Sequence, residues 1–369
     1  MFFYLFVFAL CLFLNSLSSR KKPWFLFLSC LILSVVAGFR DKTVGTDTML
    51  YPPTYQEAAK YIHSIYDLLI YEDATHLDRG FLLVYCVSSW IGNQYWIGLF
   101  FIELIITCFS FAGFFRLSRY FNGGLFFFTY AFLFLVFNYS MNAMRQECAI
   151  SIAFFAFTYL WEKRWIPYIC WTFVAYTFHS SALVTLLLPF FLWVSSIKGD
   201  KKRYLIVTGI IGGMVFVTIA FWSLLEFVGQ LGIFNEAYAG RYGEFSTYEG
   251  NEGIPTIPVA LCFVFYGVSY ISYRNKIISS MILCFQFMVN SLYMMALFLS
   301  LLNQYLYRIG LYFQIITIYF ISIEISSKKS NPIIKYLIVF AITIYWFRHY
   351  VIRNSSETIP YTSTILGIN

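Results

Sequence analysis

Charge is what this 369-residue sequence has least of: Asp, Glu, Lys and Arg together make up 12% of it, where a soluble domain carries about a quarter. With 60% hydrophobic and 22% aromatic residues, no single water-soluble core could hide the apolar surface, which excludes the soluble globular class. The eight cysteines form no CxxC pair and the four histidines show no paired ligand spacing, so neither a disulfide framework nor a metal site is indicated. There is no P-loop, no GxGxxG fingerprint and no GxSxG elbow. Nucleotide-driven chemistry is thereby disfavoured, and no cofactor or metal is required. The formal net charge of +7 is scattered between apolar runs rather than pooled on one face, which argues against nucleic acid as a partner. Met1–Leu17 lacks a basic stretch ahead of it, since Arg20, Lys21 and Lys22 follow instead. That order reads as a retained first span with its N-terminus outside, not as a cleaved signal peptide.

What is present is a series of apolar runs, each about 16–25 residues long, the length that crosses a bilayer as a helix. Twelve are found, near 2–18, 24–39, 95–115, 121–138, 143–160, 165–179, 181–197, 204–228, 257–273, 277–301, 309–326 and 333–350. The fold class expected is all-α: a polytopic integral membrane protein of about 12 helices forming one domain over 1–369. Phe81–Trp90 is apolar but too short to span and reads as re-entrant or interfacial. With the N-terminus outside, every short inner loop carries at least two basic residues, for example Arg116 with Arg119, Lys163 with Arg164, and Lys328 with Lys329. The positive-inside bias thus sets the orientation, with both termini outside. Two long outer loops follow, about 40–80 and 229–256, with short helices expected inside them, and 351–369 forms an outer tail.

The candidate chemistry lies on that outer side. Arg40 ends the second span, Arg145 opens the fifth with Gln146 beside it, and Arg308 opens the eleventh, while His179 closes the sixth. An ionisable residue at a membrane helix end is solvated, paired or functional; for any one arginine, snorkelling to lipid phosphates is an even alternative. Three guanidinium groups at one level suit a pyrophosphate, because their forks match phosphate oxygens and stay charged. Asp47 in VGTDT, with Gly45 allowing a tight turn before it, is the candidate general base, or else a turn and cap aspartate. Arg241 and Glu244 in AGRYGEF, and His179, are weaker candidates for binding and proton transfer. Asp78 and Arg79 in HLDRGF read as a surface ion pair.

The ordered segments RDKTVGTDTMLY, LDRGFLLV, MRQECAISIAFFAF, FHSSALV, YRIGLYF and IPYTSTI resemble the landmarks of EpsG-type polysaccharide polymerases, which belong with the Wzy-like O-antigen and capsule polymerases. The resemblance runs from about residue 35 to the C-terminus. Arg79, next to the glycine of LDRGF, departs from the pattern and leaves any role for Asp78 in doubt. The resemblance implies an enzyme of the bacterial inner (cytoplasmic) membrane, surrounded by membrane lipids. It would move a growing glycan from undecaprenyl pyrophosphate onto a new lipid-linked repeat at the outer face. The implied partners are the undecaprenyl-pyrophosphate-linked oligosaccharide donor and acceptor, with room for a chain-length regulator. The positions carried over by motif are Arg40, Gly45, Asp47, Arg145, Gln146, His179 and Arg308. A flippase for lipid-linked oligosaccharide and an acyltransferase acting on surface sugars remain as alternatives.

Overall fold

Each long apolar run is helical, and no β-strand occurs among the described residues of the computed structural model, which are 1–19, 22–70, 77–120, 123–230, 256–300 and 306–368. The chain divides into two compact units, Met1–Thr185 with Ile325–Asn369, and Leu186–Glu324.

In the first unit, α1 (Phe2–Leu17) and α2 (Trp24–Gly38) form a hairpin closed by the Lys22 N–H on the Ser19 carbonyl. Polar groups inside it are matched: Asn15 donates to Thr129 Oγ1 at 2.9 Å and accepts from Ser29 Oγ at 2.9 Å. A 3₁₀ turn, Thr46–Met49, leads to α3 (Tyr51–Ala59), whose Pro52 and Pro53 occupy the first turn, where a missing N–H costs nothing. Next come α4 (Ile65–Ile70) and α5 (Arg79–Ser89), the latter 11 residues long and too short to span. After them stand α6 (Tyr95–Leu117), α7 (Leu125–Ala131), a π-helical stretch Phe132–Phe137, α8 (Asn138–Ser140), α9 (Met144–Trp161) and α10 (Trp165–Phe178).

Close packing defines which ends meet. A Cβ on Gly38 would fall 2.8 Å from Phe100 Cα, so only glycine lets the end of α2 lie against the start of α6. There the Tyr95 hydroxyl donates to the Arg40 carbonyl at 3.1 Å. The start of α9 lies alongside, with the Cys148 thiol 3.8 Å from the Ile102 carbonyl. Arg116 and Glu162 pair at the far ends of α6 and α9, with the Arg116 guanidinium 3.8 Å above the Tyr159 ring. Helix α10 returns to the first end, where Gly80 of α5 seats against Thr177 and Phe178.

The second unit contains α11 (Leu188–Ser195), α12 (Asp200–Gln230), α13 (Thr256–Arg274), α14 (Ser280–Leu299) and most of α15 (Tyr307–Ser326). Its interior holds a carboxyl group, Glu324, which accepts from Gln286 Nε2 at 2.6 Å while Gln286 accepts from Ser269 at 2.7 Å. Burying a polar group in such an apolar setting is costly unless it is hydrogen-bonded. Among the described residues, five helices have the length and composition to cross a membrane: α6, the Asp200–Ala220 part of α12, α13, α14 and α15. The other apolar runs form shorter helices, three of them extended by 3₁₀ or π-helical turns.

The chain then re-enters the first unit through α16 (Pro332–Trp346), capped by Asn331 Oδ1 accepting from the Ile333 N–H at 2.9 Å. A π-helical turn, Phe347–Ile352, follows. Asn138, at the end of the first π stretch, accepts from Trp346 Nε1 at 2.8 Å and donates to Thr358 Oγ1 at 3.0 Å. The segment after it is not a loose tail. Ser356, Thr358, Tyr361 and Ser363 are buried. It is tied in by Tyr4 Oη on the Thr358 carbonyl at 2.8 Å, Tyr361 Oη on the Val36 carbonyl at 2.8 Å and Asn142 Nδ2 on the Ser356 carbonyl at 3.0 Å.

Candidate functional site

Most of the candidate residues of the first unit lie where α2 ends, α6 and α9 begin, and the C-terminal segment crosses. Arg40 is the deepest of them, with 1% of its surface accessible. An isolated guanidinium in such a place would cost several kcal/mol or more, and the chain folds around it to prevent that. Its Nη1 meets the Ala37 carbonyl at the end of α2, a favourable position for a cation at a helix C-terminus. Nε reaches the Val44 carbonyl at 3.1 Å and Thr48 Oγ1 at 3.2 Å, and Nη2 reaches Thr48 Oγ1 at 3.1 Å and the Met141 carbonyl at 2.8 Å. Arg40 therefore ties α2, the 41–48 loop and the turn before α9 into one piece, with its donors turned onto the protein.

Gly45 makes that loop possible. Its φ is +88°, and a Cβ there would stand 2.8 Å from Asn142 Oδ1. Its N–H donates to the Glu357 carbonyl at 2.9 Å. Asp47 follows on the 3₁₀ turn, half-buried, and its carbonyl accepts the Leu50 N–H. Asp41 anchors the C-terminal segment: its Oδ1 accepts from the Thr364 N–H at 2.9 Å and hydroxyl at 2.8 Å. Those two donors hold the Asp41 carboxyl below its ordinary range, the backbone N–H contributing most.

Arg145 differs from Arg40 in being open. Its Nη1 pairs with Asp78 Oδ2 at 2.7 Å, and the two side chains are 23% and 22% exposed. The guanidinium lies 4.2 Å from the Tyr51 ring centre, a cation–π contact. Tyr55 Oη accepts the Asp78 N–H at 3.1 Å. Burial pushes the Asp78 carboxyl above its usual range, against the pull of Arg145. The expected Asp78–Arg79 ion pair is replaced by this long-range one, while Arg79 donates to the Leu68 carbonyl at 2.8 Å. Gln146, next along α9, is buried at 2% exposure.

His179 stands just past the end of α10, half-buried. Its Nδ1 lies 3.3 Å from the Ser181 N and 2.6 Å from the Ser181 hydroxyl. Because Gly80 packs on Thr177 and Phe178, the stretches containing Asp78 and His179 are neighbours. Tyr51 is the link on the other side, four positions beyond Asp47 and beneath Arg145. Arg308 opens α15 in the second unit and is half-buried. Arg241 and Glu244 lie outside the described residues.

Two acidic residues absent from the sequence-derived set lie below this layer. Glu103 in α6 is 2% exposed and accepts from Ser140 Oγ at 2.8 Å, within the electrostatic reach of Arg40. Glu147, in the first turn of α9, is equally buried and close enough to Glu103 to interact with it. A lone acid inside an apolar run is the signal that could have marked both. Beside the 43–44 turn the surface opens into a cleft of about 430 Å³, walled on its other side by the 353–362 segment. No group of three or more His, Cys, Asp or Glu able to hold a metal occurs among the described residues.

The family model described as the EpsG family matches residues 23–363. No curated protein and no solved structure matches the chain.

Proposed function

Because the chain belongs to the EpsG family, a family of membrane proteins of polysaccharide polymerisation, we propose that it is a glycosyltransferase that extends a surface polysaccharide such as O-antigen. The growing glycan, carried on undecaprenyl pyrophosphate, passes to a hydroxyl of a new lipid-linked repeat. The bond from the anomeric carbon to the pyrophosphate oxygen breaks, and a bond from that carbon to the acceptor oxygen forms. The acceptor's proton goes to a base, and the pyrophosphate leaves with its lipid. On this reading the Arg40–Arg145 end faces the outside of a bacterial inner membrane, with both termini there.

The observation that carries the reading is Arg145: a guanidinium fixed by Asp78 and Tyr51 yet still open to a ligand. Its role is to bind the donor pyrophosphate and stabilise its departing charge. Asp47, half-buried on the turn one helical step before Tyr51, is the general base, with His179 the next choice. Arg40 acts as a positioning residue, not a ligand, because its donors are spent on carbonyls and Thr48. Gly45 and Gln146 serve by shaping the turn and the start of α9. From their sequence motifs alone, Arg308 and Arg241 are proposed as pyrophosphate-binding residues and Glu244 as a less favoured base.

The test is a gel profile of surface polysaccharide from a strain lacking the gene, restored with Arg145→Ala. Removing one such charge-stabilising donor costs about 10²–10³ in rate, so long chains should collapse to single repeats while the protein stays in the membrane. Normal chain lengths would sink the assignment. Loss of all surface repeats in the deletion strain would favour a flippase, and a change in sugar acetylation alone would favour an acyltransferase.

A further inference from the structure

The cleft beside the Asp47 turn has no part in the roles assigned so far. At about 430 Å³ it falls within the size range of small-molecule sites, about 300–1,000 Å³. One wall is Thr43 and Val44, immediately before Gly45. The other is the C-terminal segment, with Arg353, Asn354, Glu357 and Pro360. Two of these residues hold left-handed backbone, Asn354 at φ 49° and Glu357 at φ 48°. For a glutamate that conformation is unfavourable, and the surrounding contacts hold it: the Glu357 carbonyl takes the Gly45 N–H while its N–H donates to the Asn354 carbonyl at 3.0 Å. The cleft is thus built onto the same turn that carries Asp47.

The lining selects a class of ligand. The lining holds one guanidinium and one carboxylate, so the site has no net charge to offer an anion, and a pyrophosphate would meet Glu357. An amide, two threonine hydroxyls and two charged groups supply donors and acceptors for hydroxyl-rich surfaces, and Pro360 and Val44 supply apolar faces for ring C–H groups. We infer that this cleft binds sugar residues of the glycan, separately from the pyrophosphate contact at Arg145, and so seats the oligosaccharide beside the transfer centre. The inference rests on the polymerase reading above.

It is tested with the full-length protein in lipid nanodiscs and a defined probe: the single-repeat oligosaccharide released by mild acid from the lipid-linked repeats of the deletion strain. Saturation-transfer NMR should report binding to the wild type, at least tenfold weakening in the Arg353→Ala, Glu357→Gln double variant, and no competition by inorganic pyrophosphate. Both residues are exposed, so the double variant should melt with the wild type. In cells it should make shortened chains rather than single repeats. Equal binding by the variant, no binding by the wild type, displacement by pyrophosphate, or an unchanged chain-length profile would each overturn the inference. The polymerase reading fails on a different result, long chains persisting in the deletion strain.

Discussion

Replacing Arg40 separates a clamp from a ligand. Arg40→Ala leaves the Ala37 and Met141 carbonyls without the donors they now have, inside the protein. Val44 and Thr48 are spared, because the Thr48 hydroxyl already donates to the Val44 carbonyl at 2.8 Å. A buried acceptor left unmatched costs about 1–3 kcal/mol, so two give roughly 2–6, centred near 4. That is a large share of the roughly 5–15 kcal/mol that holds a typical domain folded. Arg40→Lys keeps the charge but offers one point of donation in place of a planar fork, and should lose about half as much. Thermal unfolding in detergent, followed by size-exclusion chromatography, should rank wild type above Lys above Ala, with polymer formation falling in the same order. A pyrophosphate ligand predicts the opposite pattern: Arg40→Lys as stable as the wild type yet inactive. That result would refute the clamp.

Gly45→Ala forces a side chain into φ +88° and against Asn142 Oδ1; a loss of at least ~2 kcal/mol is expected, read by the same unfolding assay. The Asp41 anchor gives a pH dependence. Its folded-state carboxyl lies below the unfolded value, so its stabilisation is present above the ordinary aspartate range, about 4, and is lost as the pH falls through the lower folded value. The protection factor of the Thr364 amide, its exchange relative to an unstructured amide at the same pH, should therefore be high at neutral pH and fall in acid; Asp41→Ala should be weakly protected at both, and equal protection in wild type and variant would refute the anchor. For Arg145→Ala the expected stability loss is about 1 kcal/mol or less, since the pair with Asp78 is partly solvated. The same variant should abolish long chains, and a severe unfolding defect would mean that Arg145 is structural.

The helices were legible because apolar runs this long have few alternatives, and the glycine before Asp47 announced a turn. The roles of the charges were harder to read, since each was decided by a partner far along the chain. Nothing local distinguishes Arg40 from Arg145: both are arginines at the end of an apolar run. What buries one is the Met141 carbonyl, 101 positions away. Asp78 has a basic neighbour in sequence, yet its partner is 67 positions off. The C-terminal segment is polar and short, so it reads as a tail, but it is held largely by backbone carbonyls, which leave no mark in residue type. Glu103 and Glu147 are readable in principle as acids inside apolar runs.

The stitching of the C-terminal segment sets an order of assembly. Residues 356–364 bind the side chains of Tyr4, Asp41, Asn138 and Asn142 and the backbone of Gly45, Val36 and Phe39. These contacts join segments of the chain that lie at least 214 positions apart. Helices can insert one after another, but this end cannot close until residues 356–364 have emerged, so the nascent protein stays incomplete there until then. A chain cut short before residue 356 would keep its helices and lack a finished site.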